Sequence, residues 1–220
     1  MSTDARIVLR PIASPLPLGF LALAAGTLLV SGLQLGWLAP AQGQDVGLIL
    51  LAFVFPLQLV TSIFGFLARD IVAATGMGLL AGTWLSIALV TSTAPAPGAT
   101  SDALGLFLLL AGTAMLVPFA AATTGKLVPA TVLGTTAIRF AVTGIYQLSD
   151  SSGWKHAAGI VGLALLAIAL YAALALAIED ARGATVLPVG RRGAGEDALS
   201  EGLEAQIAGI EHAAGVRRQL

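Results

Sequence analysis

Six long apolar stretches divide the chain, and they constrain its fold more than any other feature. Each is about twenty residues long, the length that an α-helix needs to cross roughly 30 Å of hydrocarbon. They cover residues 16–38, 46–68, 72–92, 103–122, 127–148 and 156–178. Because irregular backbone cannot satisfy its hydrogen bonds in lipid, we predict that each stretch is a transmembrane helix. The sequence therefore predicts an all-α integral membrane protein built as a six-helix bundle.

The overall composition fits solvation by lipid. Of the 220 residues, 57% are hydrophobic and 10% are charged, whereas soluble domains carry about a quarter charged residues. The expected domains are an N-terminal tail over residues 1–15, a transmembrane domain over residues 16–190 and a C-terminal tail over residues 191–220. We predict a multi-pass protein of the cell membrane, in contact with the lipid bilayer.

The C-terminal tail has a different pattern from the spans. Leu199, Leu203, Ile207 and Ile210 recur at three- and four-residue steps among acidic residues. This spacing is typical of a short amphipathic helix, and disorder is the alternative.

The positions of the basic residues predict the orientation in the membrane. Positively charged flanks resist translocation, so they mark the cytoplasmic side. One side of the predicted bundle carries Arg6, Arg10, Arg69, Lys126, Arg182, Arg191, Arg192, Arg217 and Arg218. The opposite side carries only Lys155. We therefore expect both termini to be cytoplasmic.

Residue patterns needed for catalysis or metal binding are missing. The chain has no Cys, no carboxylate pair inside a predicted span and no His spacing typical of a metal site. We expect no enzyme activity, no metal and no other cofactor, and the net charge of −1 gives no support for nucleic-acid binding. His156 begins the sixth stretch, where interfacial anchoring and proton sensing are both open.

Arg139 is the one charged residue inside a predicted span, and it lies near the middle of the fifth. A charge at that depth costs about 3 kcal/mol on insertion scales, so Arg139 should face the bundle interior or a wet cavity. Two interpretations stay open: a guanidinium that attracts an anion in a pore, and a guanidinium clamped by helix carbonyls at a subunit contact. The expected acceptors are a passing anion, carbonyls freed by Pro56, or the side chains of Gln58, Thr61, Thr143 and Gln147.

Polar residues flank Arg139 at helical spacing. Thr136 and Thr143 lie three and four residues away, which places them on about the same helix face. We expect this stripe to line a narrow path with polar residues of the second and third spans, namely Gln58, Thr61, Ser62, Thr83 and Ser86. The alternative is that the hydroxyl groups bond to carbonyls of their own helices.

Two short motifs resemble those of a known family. Residues 14–20 read SPLPLGF and resemble the N-P-x-P-L-G-L signature that opens members of the acetate uptake transporter family. Residues 183–190 read GATVLPVG and resemble that family's closing G-R-T-V-L-P-I-G segment. The matching motif residues are Pro15, Pro17, Leu18, Gly19, Thr185, Leu187, Pro188 and Gly190.

The resemblance implies a fold and a substrate class. It implies a homohexamer in which each six-helix protomer holds its own path for small monocarboxylates such as acetate. It also implies a constriction, which maps onto Leu23, Leu80 and Thr136. The family's A-G-x-x-E-F-x-x-G-N-T-F-G stretch corresponds to residues 64–76, where the Glu and the Asn are missing.

The leading hypothesis is a transporter or channel for small monocarboxylates, with any proton coupling carried by the acid form of the substrate. One alternative is a channel for a small neutral solute such as urea, an amide or ammonia. A second alternative is a non-conducting sensor or assembly protein whose output is the C-terminal tail.

Overall fold

In a computed structural model of the chain, the structure describes residues 12–193 and residue 196. Most of the predicted C-terminal tail, with His212, lies outside the described residues. Within them, six helical spans are long and apolar enough to cross a membrane, which confirms the predicted fold class. The first span is α1 (Leu16–Gln34), the third is α4 (Ile71–Ser92), the fifth is α7 (Leu127–Ser149) and the sixth is α8 (Ser152–Arg182).

The second and fourth spans are interrupted helices. The second contains α2 (Gly43–Ile49), a π-helical turn (Leu50–Val54) and α3 (Phe55–Ala68), and the fourth contains α5 (Asp102–Ala114) and α6 (Leu116–Ala122). A proline ring clashes with the carbonyl four residues before it. For Pro56 that residue is Ala52, which lies inside the π turn. For Pro118 it is Ala114, the last residue of α5.

The connections between spans lie at the two ends of the bundle. The terminal face contains residues 12–15, 69–70, 123–126 and 183–193, and the loop face contains residues 35–42, 93–101 and 150–151. Side chains cap helices at both ends: Asp70 accepts a hydrogen bond from the Ala73 N–H, and Ser101 accepts one from the Leu104 N–H. The cytoplasmic placement of the terminal face stays a prediction.

The sixth span is longer than the apolar stretch that predicted it. Helix α8 has 31 residues, which corresponds to about 46 Å and exceeds the hydrocarbon thickness. It is therefore longer than one crossing of the hydrocarbon requires, with His156 near one end and Glu179 near the other. Gly183, at φ +62°, adopts the left-handed conformation that ends it. Helices α1 and α8 pack extensively against each other.

The closing motif folds back over the terminal face. The N–H groups of Leu127 and Val128 donate to the carbonyls of Gly190 and Val189, at 2.9 and 3.1 Å. The Tyr171 hydroxyl donates to the Pro188 carbonyl at 2.8 Å. Residues 183–190 therefore satisfy backbone groups at the start of α7, which would otherwise be unpaired at a helix N-terminus.

A buried carboxylate fixes the same region. Glu179 accepts hydrogen bonds from Lys126 at 2.7 Å, from Thr185 at 2.8 Å and from both Nε and Nη2 of Arg191. We call Lys126, Glu179, Thr185 and Arg191 the terminal clasp. It joins the start of the fifth span, the end of the sixth and the segment that follows.

The opening motif packs the start of α1 against two other spans. Pro15 and Pro17 lie at the helix start, where a missing N–H costs no hydrogen bond. A Cβ on Gly19 would come within 2.6 Å of the Met77 sulfur and 2.8 Å of a Thr61 methyl group. Glycine is therefore required for this close approach. Leu18 is exposed, whereas Leu187 of the closing motif packs against the core.

The terminal clasp generates a prediction. Glu179→Gln keeps the side-chain shape but removes the charge that two cations share. We expect the free energy of unfolding in detergent micelles to fall by about 2 kcal/mol, because charge-assisted hydrogen bonds are lost. Asp45→Asn, at an exposed acidic residue of α2, is the matched control and should change little. Equal stability of the two variants would contradict the assigned role.

Candidate functional site

A cavity of about 310 Å³ opens at the loop face. Its walls come from the ends of the first five spans, the segments 40–44 and 94–99, and Lys155 at the start of α8. Its polar lining side chains are Gln34, Gln44, Thr91, Ser92, Thr143, Tyr146, Gln147 and Lys155. Among the described lining residues, Lys155 is the one that carries a charge. We call this space the loop-face cavity.

Arg139 lies in the bundle, where the first, fifth and sixth spans meet. Its side chain is buried, with 2% of its surface exposed. Nη1 donates to the Ser31 hydroxyl at 3.1 Å and to the Ala158 carbonyl at 2.8 Å, while Nη2 is 3.4 Å from the Gln34 side-chain oxygen. Arg139 does not line the loop-face cavity, but its acceptor Gln34 does.

A glycine makes room for this guanidinium. A Cβ on Gly162 of α8 would overlap both the Arg139 guanidinium and the Ser31 hydroxyl. The backbone of α8 can therefore approach Arg139 only because residue 162 has no side chain.

The side chains and the carbonyls near Pro56 that the sequence predicted as acceptors for Arg139 are wrong, whereas a passing anion stays a prediction. Gln58 instead donates to the Gly19 carbonyl at 3.3 Å, and the Gln147 oxygen accepts from the Ser101 N–H at 2.8 Å. Thr61 bonds within its own helix, and no described hydrogen bond joins Thr143 or a carbonyl near Pro56 to Arg139. Arg139 extends away from these groups, toward α1 and α8. A carbonyl does clamp it, but within one chain.

Most of the predicted hydroxyl stripe bonds to its own helices. Thr61, Thr83, Ser86 and Thr136 each donate to the carbonyl four residues earlier, at 2.8 to 2.9 Å. Ser62 differs, because its hydroxyl donates across to the Ala74 carbonyl at 2.7 Å. These hydroxyl protons are therefore already used in packing, as the alternative interpretation predicted.

The structure gathers the predicted path residues in the interior, but it brings only one of them to the cavity. All seven are buried: Leu23, Gln58, Thr61, Leu80, Thr136, Arg139 and Thr143. Thr143 lines the loop-face cavity, whereas the other six do not. The proposed constriction residues Leu23, Leu80 and Thr136 are each 0% exposed. Their place in a path stays a prediction.

Several polar groups that matter here were not predicted from the sequence. Gln34 and Lys155 line the cavity. Gln34 is the last residue of α1 and lies inside the predicted first stretch, where a single polar residue gave no signal of a site. Three buried atoms have no hydrogen-bond partner among the described residues: Thr27 Oγ1, Gln58 Oε1 and Trp84 Nε1. Such orphaned groups are uncommon in packed interiors and mark positions where water or a solute can bond.

His156 is exposed at the loop face and does not line the cavity. Interfacial anchoring therefore fits its position, and its role in proton sensing stays a prediction.

Comparisons with known proteins agree with this architecture. A family model described as the GPR1/FUN34/yaaH family matches residues 2–191. A solved structure described as the bacterial acetate channel SatP has a TM-score of 0.72 and 23% sequence identity, and the match covers 81% of this chain and 99% of that one. At this identity the likeness shows a shared fold. No curated protein gave a match.

The seat of Arg139 generates a prediction. Gly162→Ala should force the guanidinium away from Ser31 and Ala158, leaving buried polar groups unpaired. We expect the free energy of unfolding in detergent micelles to fall by about 2 kcal/mol or more. Gly82→Ala is the matched control in another span, because a Cβ there has no neighbour within 4 Å. If both variants retain wild-type stability, Arg139 is not seated as described.

Proposed function

Because the chain belongs to the GPR1/FUN34/yaaH family, we propose that it is a transporter or channel that moves small monocarboxylates such as acetate across the cell membrane. The observation that carries the proposal is the loop-face cavity, in which Lys155 is the one charged residue among the described lining residues. The fold around this cavity is shared with the bacterial acetate channel SatP. That protein is an acetate channel, which supports the substrate class.

The size and charge of the cavity suit a small anion. A volume of about 310 Å³ lies at the lower end of the roughly 300–1,000 Å³ of known ligand pockets. Lys155 is in its lining, Arg139 lies behind Gln34, and no described Asp or Glu lines it. Positive charge in a cleft with low-dielectric walls concentrates anions at the entrance.

The proposed path continues from Thr143 toward the terminal face. It passes Leu23, Leu80 and Thr136 as an apolar constriction and reaches Gln58 and Thr61 beyond it. The unpartnered atoms of Thr27, Trp84 and Gln58 support this route, because they supply polar contacts inside an otherwise apolar bundle. These side chains are closely packed, so conduction requires them to move.

Proton coupling, where it occurs, is proposed to use the acid form of the substrate. The described lining of the loop-face cavity contains no histidine and no carboxylate that could carry a proton. His156 lies outside that lining. Arg139 keeps its charge through the working pH range and so attracts an anion without exchanging a proton.

We propose a homohexamer with one path in each protomer and with the terminal face in the cytoplasm. The basic residues Arg69, Lys126, Arg182, Arg191 and Arg192 lie at that face or at the helix ends beside it, in agreement with the positive-inside rule.

Flux in liposomes tests the proposal. Purified full-length protein should accelerate uptake of radiolabelled acetate over protein-free liposomes. Leu80→Ala should raise the rate further, because it removes side-chain volume from the proposed constriction. Leu116→Ala, at an exposed leucine of the fourth span, is the matched control.

Acetate uptake equal to that of protein-free liposomes would contradict the proposal. Uptake of radiolabelled urea in the absence of acetate uptake would support the neutral-solute alternative.

A further inference from the structure

We propose that the loop-face cavity holds a carboxylate-binding site. In it the side-chain amides of Gln34 and Gln147 donate hydrogen bonds to the anion, and Arg139 is a positioning residue that holds Gln34 in the donating orientation. This deepens the proposed function and takes its ligand class from it.

The orientation of the Gln34 amide follows from its neighbour. A guanidinium has only donors, so the Gln34 atom that faces Arg139 Nη2 must be the carbonyl oxygen. The NH₂ group of Gln34 therefore points away from Arg139. Since Gln34 is buried and yet lines the cavity, this NH₂ group is the part available to a ligand.

The Gln147 amide is fixed in the same way. Its side-chain oxygen accepts from the backbone N–H of Ser101 at 2.8 Å, and a backbone N–H can only donate. The bond joins the fifth span to the start of the fourth. Gln147 therefore also presents NH₂ donors, while its oxygen already accepts one hydrogen bond.

Two further donors belong to the same lining. No described hydrogen bond engages the Thr143 hydroxyl, which lies one turn beyond Arg139. The Lys155 ammonium is held 6.0 Å from the centre of the Tyr146 ring. The glutamine amides, this hydroxyl and this ammonium all line one cavity.

This set of donors discriminates between ligand classes. An ionised carboxylate only accepts hydrogen bonds, so it can use every one of these donors. A neutral amide of the same size carries no charge to interact with Lys155 and Arg139, and its N–H donors would find oxygens of Gln34 and Gln147 that each already accept one hydrogen bond. The site should therefore prefer acetate to acetamide.

Arg139 contributes charge as well as position. Its described hydrogen bonds go to neutral groups, and no described Asp or Glu pairs with it. Its positive charge is therefore not neutralised by a partner in the described chain. Because the surroundings have a low dielectric, that charge favours an anion on the far side of Gln34.

Isosteric charge changes test the site without removing the bonds that hold the fold. Gln34→Glu leaves an oxygen facing Arg139 and adds an ion pair, and Gln147→Glu leaves an oxygen for the Ser101 N–H. Both replace a donor at the ligand with a negative charge. Gln42→Glu is the matched control, because Gln42 lies at the same face, is exposed, is outside the lining and uses its oxygen for the Ala39 N–H at 3.1 Å.

The measurement is binding of acetate and of acetamide to the purified full-length protein in detergent, by saturation-transfer NMR titration. The wild type should prefer acetate. Gln34→Glu and Gln147→Glu should raise the apparent Kd for acetate about tenfold or more, whereas Gln42→Glu should change it less than about twofold. Wild-type affinity in both lining variants, or equal binding of acetate and acetamide by the wild type, would overturn the site.

Arg139→Met separates positioning from general stability. If Arg139 orients Gln34, the variant should lose the preference for acetate over acetamide. A purely structural role would lower stability and leave that ratio unchanged. Binding of acetate without flux would retain this site and contradict the proposed function, whereas flux that is unaffected by Gln34→Glu would contradict the site alone.

Discussion

A buried guanidinium joins the three spans that form one wall of the bundle. Arg139 reaches from the fifth span to Ser31 on the first and to the Ala158 carbonyl on the sixth. Placing a charge at this depth is costly, and removing its acceptors would leave it unsatisfied in a low-dielectric interior. Helices α1 and α8 approach closely, which Gly162 permits, and so place hydrogen-bond acceptors next to the guanidinium. The same guanidinium contacts Gln34, which lines the loop-face cavity.

The two ends of the bundle are built differently. At the terminal face, the closing motif and the terminal clasp tie the sixth span to the start of the fifth through Glu179. At the loop face, the spans separate around a cavity, and side chains such as Gln147 bridge neighbouring spans at its wall. The family-like motif residues therefore lie at the terminal face, and the proposed ligand donors lie at the loop face.

The sequence was enough to predict elements whose signal is local. Apolar length predicted the six spans, and the clash of each proline with the residue four before it explains the interruptions near Pro56 and Pro118. Helical spacing correctly put Thr136, Arg139 and Thr143 on one buried face.

The partners of Arg139 could not be predicted in the same way. Ser31, Gln34 and Ala158 are distant from Arg139 in sequence. They meet it only because α1 and α8 pack beside α7. A helix carbonyl can accept a second hydrogen bond from a hydroxyl four residues later, and the Thr61 and Thr136 hydroxyls donate in this way. The orientation of the Gln34 and Gln147 side-chain amides also depends on tertiary contacts, because it is set by the donor group that faces each side-chain oxygen.

The most direct test of the account is a crystal structure of the full-length protein with bromoacetate, whose bromine marks the bound ligand by anomalous scattering. We predict ligand density in the loop-face cavity, with carboxylate oxygens within hydrogen-bonding distance of the Gln34 and Gln147 amides and with Arg139 behind Gln34. Ligand bound elsewhere while this cavity stays empty, or Arg139 withdrawn from Gln34, would contradict it.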